Sequence, residues 1–407
     1  MKKVTFIHAA DLHLDSPMVG LKHLPQSIFT RLQESTFTAF SKIIDAAILH
    51  QVDFVILGGD LFDGEDRSIR AQTRFRKQIE RLYAQQIPVF IVHGNHDHLE
   101  GKWANIQMPQ NAYIFPADVA IKTFMTKDKT TVSLYGFSYP RRHVLERRID
   151  DYIKEEGADF HIGILHGHFE GNSDHGRYAP FTLSDLLEKQ FDYWALGHIH
   201  KRTHLSEDPP VIYPGNIQGR HSKETGEKGC YLVTLTEANT SLEFISSSDV
   251  LWEDIEGDAT SANSVDDLYR LSRNIISEMR KEGQGILVTI RLKNVSLMET
   301  QQELLSSEEL LETLQDDEKD EESMFVWPVD LFIEEANQWN REQMIGEADF
   351  YSELFQSTDH YENSKNCLSP LYQHSSARKY VTLLSDHEQE QLIKDAESIL
   401  VQLLKKG

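Results

Sequence analysis

The chain has 407 residues, of which 40% are hydrophobic, and carries a formal net charge of −24 at pH 7. That length and hydrophobic content predict two or three domains with well-formed cores. Its two cysteines, Cys230 and Cys367, lie far apart in the sequence, which argues against a disulfide framework and a cysteine zinc site. The apolar run after Lys3 is interrupted at His8, too early for a signal peptide, and no run reaches membrane-spanning length. These features predict a cytoplasmic protein.

Five short polar motifs each follow an apolar run of strand length in the first half of the chain. The apolar runs are Val4–Ile7, Phe54–Leu57, Val89–Val92, Ile162–Leu165 and Tyr193–Leu196. In the same order, the motifs are Asp11-Leu12-His13, Gly59-Asp60-Leu61-Phe62-Asp63, Gly94-Asn95-His96-Asp97, His166-Gly167-His168 and Gly197-His198-Ile199-His200. Ligands collect at the carboxyl ends of buried strands in α/β sheets. The pattern therefore predicts that all five motifs meet at one rim of the fold.

The residue types of these motifs suit a site for two divalent cations. Two cations roughly 3.5–4 Å apart need a shared anionic ligand to offset their repulsion, and Asp60 is the natural bridge. Asp11 and His13 alternate as the chain leaves its strand, so both can reach one cation through a tight turn. Asn95 offers a neutral oxygen to the other cation.

His198 and His200 show the same alternate spacing, which predicts one imidazole for each cation. A lone Asp-x-His is common by chance, and a lone buried histidine is more often a hydrogen-bonded core residue. Five motifs in order favour a metal site over chance. The core interpretation is kept for histidines that have no place in this scheme, namely His8, His93, His98, His161 and His175. His168 is left undecided.

The motif set resembles that of the calcineurin-like metallophosphoesterases, and more narrowly that of the SbcD group of DNA-repair nuclease subunits. Three longer stretches resemble the bacillar YhaO branch of this group: His8–Pro17, Ile164–Gly171 and Tyr213–Arg220. The likeness is dense over residues 1–235 and thin afterwards. It implies an α/β fold in which a two-sheet metallophosphoesterase sandwich is flanked by helices.

The resemblance also implies a ligand set and a cofactor. It assigns the first metal to Asp11, His13, Asp60 and His200. It assigns the second metal to Asp60, Asn95, His166 and His198. The cofactor is two divalent metal ions, with manganese expected and with iron, nickel or zinc compatible with the same donors.

A catalytic role for His96 follows from the same resemblance, because it would contact the scissile phosphate and protonate the leaving oxygen. Archaeal and eukaryotic relatives place a histidine three residues after the bridging aspartate, where this chain has Asp63. A carboxylate at that position can hold the imidazole of His96 in one tautomer and would raise its pKa. Asp63 is therefore the second predicted catalytic residue.

The distribution of charge bears on whether the substrate is a nucleic acid, since phosphate contacts usually come from a basic surface. Residues 299–322 include eleven acidic residues and Lys319 alone as a base, which is typical of a solvated or partly disordered segment. Two basic clusters are candidate contacts for a DNA backbone or, equally, ordinary solvated faces. They are Arg67, Arg70, Arg74, Lys77 and Arg81 on one side of a predicted helix, and Arg141, Arg142, Arg147 and Arg148.

The pattern of elements predicts three domains. Residues 1–247 form the nuclease domain, which begins as a βαβαβ unit and ends at the polar stretch Ser246-Ser247-Ser248. Residues 248–335 form a small α+β cap domain, with a helix capped by Ser264. In the family, this position holds the cap that helps guide DNA. Residues 336–407 form a helical tail.

The tail ends in a predicted amphipathic helix. Ser385-Asp386-His387-Glu388 fits a capping box, and Lys405-Lys406 suits the negative end of a helix dipole. Between them runs an apolar stripe made of Leu392, Ala396, Ile399, Leu400, Leu403 and Leu404. The stripe packs either on the chain itself or on the SbcC-like or YhaN-like coiled-coil ATPase that the resemblance implies as a partner. A homodimer is left open.

The sequence therefore predicts a metal-dependent DNA nuclease subunit, exonuclease or endonuclease, that acts in DNA repair. Water activated by the metals would attack phosphorus in line while His96 assists the leaving group. One alternative is a phosphodiesterase or phosphatase for small-molecule or protein phosphoesters, for which a cap domain and basic arginines are unnecessary. A second is a non-catalytic DNA-binding subunit, against which the intact ligand set argues.

Overall fold

The computed structural model describes residues 2–64, 68–101, 104, 106–170, 178–298, 306–318, 324–336, 341–347, 349–359, 361, 364–373, 384 and 386–405. Contacts divide the chain into two compact units. The first comprises residues 1–257, 264–292 and 299–332, and the second comprises residues 258–263, 293–298 and 333–407. No helix among the described residues combines the length and the apolar character needed to cross a membrane.

Strands and helices alternate at the start of the chain, and after Glu335 the described elements are helices. The strands are β1 (Lys3–Ala9), β2 (Phe54–Gly58), β3 (Val89–Val92), β4 (Ala112–Ile114), β5 (Ala120–Met125), β6 (Thr131–Gly136), β7 (Phe160–His166), β8 (Tyr193–Gly197), β9 (Thr203–Glu207), β10 (Pro210–Tyr213), β11 (Gly229–Thr236), β12 (Thr240–Ser246), β13 (Val250–Asp258), β14 (Gly285–Val295) and β15 (Val326–Glu335). The helices are α1 (Gln26–Leu49), α2 (Ile69–Ala84), α3 (Leu183–Glu188), α4 (Val265–Met279), α5 (Ser307–Asp316), α6 (Arg341–Glu347), α7 (Asp349–Asp359), α8 (Ser364–Gln373) and α9 (Asp386–Lys405). A 3₁₀ turn spans Arg148–Asp151.

Two six-stranded mixed sheets carry the motif strands. The first has the order β12-β11-β1-β2-β3-β4 and the second β5-β6-β7-β8-β10-β9. Strands β1 to β4 run parallel to one another, as do β6, β7, β8 and β10. Every residue of β2, β3, β7 and β8 is buried, as expected for parallel strands covered on both faces. The predicted two-sheet α/β architecture is confirmed.

Aromatic side chains fill the space between the two sheets. Phe6 of β1 stacks on Phe54 of β2 with ring centroids 4.9 Å apart, and its ring meets the edge of Tyr193 from β8 at 5.3 Å. All three side chains are fully buried, and each such burial contributes on the order of 1.5–3 kcal/mol. A separate cluster packs Phe40 of α1 and Phe75 of α2 on the outer face of the first sheet. The sheets therefore form a fixed frame for the strand ends.

The predicted basic helix is present as α2, which is capped by the Ser68 hydroxyl accepting from the N–H of Ala71. Its arginines are partly exposed, but each of Arg70, Arg74, Arg76 and Arg81 forms an ion pair with a carboxylate. Arg70 and Arg74 both contact Glu34 of α1 at 2.7 Å. The guanidinium of Arg74 also lies 3.6 Å from the ring centroid of Phe37.

Besides Arg70 and Arg74, four arginines of the two basic clusters form ion pairs with acidic residues. Their ion pairs are Arg81 with Asp45, Arg141 with Glu146, Arg147 with Asp185, and Arg148 with Asp151. Arg67 lies outside the described residues. These pairs favour the interpretation of the clusters as ordinary surface ion networks, because carboxylates from neighbouring residues neutralise much of their charge.

Strands β13, β14 and β15 form a third, three-stranded sheet. As predicted, Ser264 caps α4, with its hydroxyl accepting from the N–H of Asp267 at 3.2 Å. The expectation of a solvated acidic segment holds for most acidic side chains of residues 306–318, since Glu308, Glu309, Glu312, Asp316 and Asp317 are exposed, but this part of the chain is an ordered helix and not a disordered segment. Helix α5 buries Leu310 and Leu314 there, and Glu318 is buried against arginines of α4 and its C-cap. The parts at 299–305 and 319–323 lie outside the described residues.

The serine stretch at residues 246–248 is a packed connection between β12 and β13. Ser247 is fully buried and donates to the carbonyl of Ile217 at 2.8 Å, while the Ser248 hydroxyl accepts from the N–H of Lys228 at 2.9 Å. The sequence predicted a domain boundary at this polar stretch, and the hydroxyls of Ser247 and Ser248 have internal hydrogen-bond partners in place of water. The three-domain division remains a proposal.

The second unit contains the C-terminal helices. Val401 of α9 is buried with Met344 of α6 and Phe355 of α7. Glu397 of α9 accepts from the guanidinium of Arg341 at 2.9 Å. The predicted capping box at residues 385–388 begins at Ser385, which lies outside the described residues.

Candidate metal centre

The strand ends bring the predicted side chains to one place. Asp11 and His13 follow β1, Asp60 and Asp63 follow β2, Asn95 and His96 follow β3, His166 ends β7, and His198 and His200 follow β8. The N–H of Asp11 donates to the carbonyl of Gly59, and the N–H of His13 to the carbonyl of Asp60, both at 3.0 Å. The turn after β1 is therefore locked onto the turn after β2.

Several of these residues have a strained backbone. The φ angle is 51° at Asp11, 42° at His13, 49° at Asp60 and 102° at His198. Residues other than glycine rarely adopt positive φ, and each instance costs on the order of 1–3 kcal/mol. Such strain persists where the surrounding structure over-determines it, and it clusters at functional sites. Its concentration here favours a built site over a chance cluster of polar residues.

The first group of candidate ligands is formed by Asp11, His13 and His200, whose ligand atoms all lie within 4.8 Å of one another. Nε2 of His13 lies 3.0 Å from Nε2 of His200 and 3.8 Å from Oδ2 of Asp60. The His13 side chain is completely buried. Both Nε2 atoms therefore approach the same point in space, as two imidazole ligands of one cation do.

The second group is formed by Asp11, Asp60 and His166, also within 4.8 Å. Nε2 of His166 lies 3.5 Å from Oδ2 of Asp60 and 3.1 Å from Oδ1 of Asn95. Nδ1 of His166 donates to the carbonyl of Gly58 at 3.0 Å, which directs Nε2 to the group. Asp60 approaches both groups, which is the position that a bridging carboxylate requires.

His198 lies beside the second group. Its N–H donates to both carboxylate oxygens of Asp11 at 3.0 Å. Its ring centroid is 5.2 Å from that of His166 and 5.5 Å from that of Tyr178. The compact groups found among the described residues do not include the His198 ring, so its predicted ligand role rests on this adjacency.

The electrostatics of the pocket fit a positive charge at its centre. Burial alone would lower the pKa of His166, but the charges of Asp60 and Asp11 raise it to about 9. Burial likewise acts to raise the pKa of Asp60, and the neighbouring histidines hold it well below its usual range. Two buried carboxylates facing several imidazoles thus favour an added cation, and the donor set suits divalent transition metals.

At two positions of the motifs, the absence of a side chain leaves space for the candidate ligand atoms. A Cβ at position 94 would lie 2.3 Å from Oδ1 of Asp60 and 2.6 Å from Nε2 of His166. A Cβ at Gly59, whose φ is 103°, would lie 2.3 Å from Nδ1 of His166. A side chain at either position would collide with candidate ligands, so both glycines are required by space, and Gly59 is required by its backbone conformation as well.

His96 stands at the edge of the two groups. Its N–H donates to Oδ1 of Asp60 at 2.9 Å, and its Nδ1 lies 3.3 Å from Oδ1 of Asp63. The hydrogen bond to Asp63 raises the pKa of His96 against the effect of burial, and the charge of Asp60 adds to the rise. The side chain is 34% exposed, whereas those of His13 and His166 are fully buried. It can therefore meet a bound molecule.

Asp63 joins several side chains around the site. Its Oδ1 lies 3.4 Å from Nδ1 of His13, its Oδ2 accepts from the Ser16 hydroxyl at 2.8 Å, and Arg220 approaches Oδ2 at 3.2 Å. Burial would raise the pKa of Asp63, but hydrogen bonds from His13 and His96 hold it far below its usual range. The carboxylate is thus ionised where the sequence predicted a partner for His96.

Histidines outside the scheme bond within the core. Nδ1 of His8 lies 2.9 Å from the hydroxyl of Tyr193, and Nδ1 of His93 lies 2.8 Å from Asp97. Nδ1 of His161 lies 2.9 Å from the hydroxyl of Tyr135. Two others, His98 and His168, are buried, and His175 lies outside the described residues.

Sequence reasoning missed two charged residues beside the site, Arg220 and Glu224. Oε1 of Glu224 lies 2.7 Å from Nδ1 of His200. Both residues lie in the loop between β10 and β11, and no motif strand leads into it. The available signals were the stretch Tyr213–Arg220, which carried the family resemblance, and the four-residue spacing of the two charges.

Comparison with known proteins agrees with the fold. A family model described as calcineurin-like phosphoesterase matches residues 4–202. An uncharacterised metallophosphoesterase, YhaO of Bacillus subtilis (strain 168), is 43% identical over 407 residues, covering 99% of this chain and 98% of that protein. The chain therefore belongs to the calcineurin-like metallophosphoesterases, and it is a phosphoester hydrolase that uses divalent metal. The resemblance to the YhaO branch is confirmed.

More distant relatives carry nuclease and DNA-repair names. The DNA double-strand break repair protein Mre11 of Thermoplasma acidophilum is 25% identical over 251 residues, covering 58% of this chain and 64% of that protein. The SbcD component of the SbcCD nuclease of Staphylococcus saprophyticus is 24% identical over 264 residues, covering 59% of this chain and 68% of that protein. The predicted relation to SbcD is confirmed at this level of sequence identity.

Proposed function

We propose that this chain is a metal-dependent DNA nuclease subunit of the SbcD type, which hydrolyses phosphodiester bonds in DNA repair. The main support for this proposal is the position of Asp60. Its Oδ2 lies 3.8 Å from Nε2 of His13 in the first group and 3.5 Å from Nε2 of His166 in the second. A buried acid between two sets of imidazoles is the arrangement that two neighbouring cations require. The names of the Mre11 and SbcCD relatives, a DNA repair protein and a nuclease, support DNA as the substrate class.

The proposed cofactor is two divalent ions, with manganese as the expected metal. The first ion is held by Asp11, His13, Asp60 and His200. The second is held by Asp60, Asn95, His166 and His198. When bound, such ions lower the pKa of water and offset charge on the phosphoryl oxygens, which supplies the nucleophile and part of the transition-state stabilisation.

The chain's own residues supply the proton. Nδ1 of His96 stays with Asp63 at 3.3 Å, so Nε2 is the atom that donates to the leaving oxygen. Asp60 fixes the backbone of His96 through the 2.9 Å hydrogen bond to its N–H. The hydrogen bond to Asp63 raises the pKa of His96 and so favours the protonated imidazole that a general acid requires.

The proposed setting is the cytoplasm, in a complex with an SbcC-like or YhaN-like coiled-coil ATPase. Helix α9 supports the partner, because part of its apolar stripe is exposed although Val401 is buried. The exposed members are Leu392, Ile399, Leu400, Leu403 and Leu404, with 40–63% of their surface accessible. Apolar anchors at three- and four-residue steps suit docking of a helix into a groove on a partner.

The test is cleavage by metal-free protein to which manganese is returned. We expect degradation of single-stranded DNA that depends on manganese and is abolished by a chelator, with His96→Ala as the matched inactive control. Manganese-dependent turnover of a chromogenic phosphodiester without cleavage of DNA, under the same conditions, would contradict the nuclease assignment and leave the phosphoesterase chemistry intact.

A second candidate function is hydrolysis of small-molecule or protein phosphoesters. It is favoured by the ion pairs of Arg70 and Arg74 with Glu34, which offset part of the positive charge of the helix expected to contact a DNA backbone. The two candidates differ in salt dependence, because binding to DNA through phosphates weakens steeply as salt rises. A kcat/KM for DNA that is insensitive to salt would favour the small-substrate alternative.

A further inference from the structure

The loop between β10 and β11 is attached to the turn that bears His200. The N–H of Asn216 donates to the carbonyl of His200 at 3.2 Å. Gly215 has a φ of 79°, and a Cβ there would lie 2.7 Å from the same carbonyl oxygen. The loop therefore keeps a fixed position relative to His200, and it carries Arg220 and Glu224, which the proposed reaction does not use.

Both oxygens of Glu224 are engaged. Oε1 lies 2.7 Å from Nδ1 of His200. Oε2 accepts from the side-chain amide of Asn216 at 2.9 Å and from the N–H of Arg220 at 2.8 Å. Only 7% of the Glu224 side chain is exposed. Glu224 thus holds a proton on Nδ1 of His200 and leaves Nε2 to face His13, as second partners of metal-bound histidines commonly do.

Arg220 extends this contact to the other side of the site. Its Nη1 lies 3.2 Å from Oδ2 of Asp63, and its Nη2 lies 3.9 Å from Oε1 of Glu224. Asp63 in turn lies within 3.4 Å of Nδ1 of both His13 and His96. A continuous path therefore runs from His200 through Glu224, Arg220 and Asp63 to two further imidazoles.

The path needs a guanidinium at its centre. Asp63 and Glu224 are both largely removed from water, and like charges in such surroundings repel one another. A planar fork can face two carboxylates at once, whereas an ammonium is a point charge that must choose between them. Arg220 is 15% exposed, which leaves its charge little solvent screening.

We propose that Arg220 and Glu224 form a positioning clamp, which aims Nε2 of His200 at the metal centre and holds Asp63 against His13 and His96. This inference rests on the proposed metal site. Neither residue touches the scissile bond, so both are positioning residues. Loss of such a partner typically weakens metal affinity about 10–100-fold.

The test is calorimetric titration of metal-free full-length protein with manganese alone, followed by the visible absorption of the cobalt-loaded protein. We expect Glu224→Ala to weaken one of the two sites about 10–100-fold and to change the cobalt spectrum. Glu224→Gln keeps an acceptor oxygen for Nδ1 and should recover much of the affinity. Arg220→Ala should weaken binding in the same direction, and Arg220→Lys should not restore it.

Arg31 offers a matched control. It forms a comparably sheltered ion pair with Asp249 at 3.0 Å, and neither residue is a candidate ligand. We expect Arg31→Ala to lower thermal stability while both manganese affinities stay as in the wild type.

Two outcomes would overturn the clamp: wild-type affinities and cobalt spectrum in both Glu224→Ala and Arg220→Ala, or the same loss of affinity in Arg31→Ala. A wild-type protein that binds no manganese would instead contradict the proposed function itself. The wild-type titration therefore separates failure of the clamp from failure of the metal site.

Discussion

The metal-centre rim and the C-terminal helix α9 are held in place by different means. At the rim, backbone hydrogen bonds join the turns after β1 and β2, and buried parallel strands fix where each side chain begins. The described core around α9 is much smaller, with Val401, Met344 and Phe355 buried together and Arg341 bonded to Glu397. Because backbone hydrogen bonds hold the rim, its fold should survive the loss of one side chain. A helix with few buried contacts should instead lose stability when any one of those contacts is removed.

Because the two regions are held in place differently, substitutions in them should affect different properties: metal binding and turnover at the rim, and folding stability in α9. A ligand replaced at the rim should change metal binding or turnover and leave the sheets folded, because the sheet cores lie between and behind the strands. A buried residue replaced in α9 should loosen the second unit and leave the chemistry unchanged. Substitutions on the two sides of this contrast should therefore give opposite patterns of activity and stability.

The largest effect is expected from Asp60→Asn. The amide keeps an oxygen for the N–H of His96 but removes the negative charge shared by the two ligand groups. We expect both metals to be lost and activity to fall by about 10³-fold or more, since metal stabilisation is worth several kcal/mol. Elemental analysis of manganese per chain measures the loss, and circular dichroism checks the fold.

Asp53 provides the control for Asp60, because it precedes β2 whereas Asp60 follows it. Its carboxylate accepts from the N–H of Thr5 at 2.8 Å, at the opposite end of the sheet. Asp53→Asn should keep its manganese and its activity. Two manganese ions per chain in Asp60→Asn, under conditions that fill the wild type, would contradict the bridging role.

The neighbours Asn95 and His96 should separate metal binding from catalysis. His96→Ala should keep both metals and its affinity for DNA while losing typically 10²–10⁴-fold in turnover, the usual contribution of a general acid. Asn95→Ala should lose one metal, because its Oδ1 lies 3.1 Å from Nε2 of His166. Equal loss of metal from both variants would make His96 a ligand and exclude the proposed proton transfer.

The sequence predicted the parts of this molecule that depend on local order along the chain. The apolar runs before Asp11, Asp60 and His166 were enough to predict buried strands, because a strand covered on both faces needs no alternating pattern. The convergence of the motifs followed from the parallel direction of those strands. Both predictions use neighbours in sequence.

Contacts between distant residues were not predictable in this way. The basic face of α2 looked free because Glu34, the partner of Arg70 and Arg74, lies on another helix. Glu224 was missed because it reaches His200 from a loop. In each case the missing information was a tertiary partner.

Asp63→Asn should shift the pH dependence of turnover. The hydrogen bond that His96 donates to Asp63 raises the pKa of His96, so the protonated imidazole persists to higher pH. If His96 is the general acid, activity falls as pH rises through this pKa. Removing the carboxylate lowers the pKa and should move the fall to lower pH, as measured by kcat against pH at saturating manganese.

Ser16→Ala is the matched control for this shift, because it removes a 2.8 Å hydrogen bond to Asp63 and leaves its charge in place. Its profile should stay close to that of the wild type. An alkaline limb that does not move in Asp63→Asn, or that moves to higher pH, would show that the carboxylate does not act through His96.

The smallest effect on the chemistry is expected in α9, where two faces of one helix can be changed separately. Ile399 and Leu403 are 56% and 63% exposed, whereas Val401 between them is fully buried. The double variant Ile399→Glu with Leu403→Glu should keep the wild-type melting temperature and nuclease activity but no longer co-purify with the ATPase. Val401→Ala should lose roughly 1–2 kcal/mol of stability in the second unit, because it leaves a cavity against Met344 and Phe355.

The two variants decide what the exposed side of the stripe contacts. Unchanged affinity of the double variant for the ATPase would exclude docking through α9. A double variant that is destabilised as much as Val401→Ala would show that Ile399 and Leu403 pack on the chain itself, because glutamate at a position exposed to solvent costs little, whereas glutamate in an apolar contact must lose its hydration. Only the combination of intact stability and lost binding supports a partner groove, since packing within the chain cannot produce it.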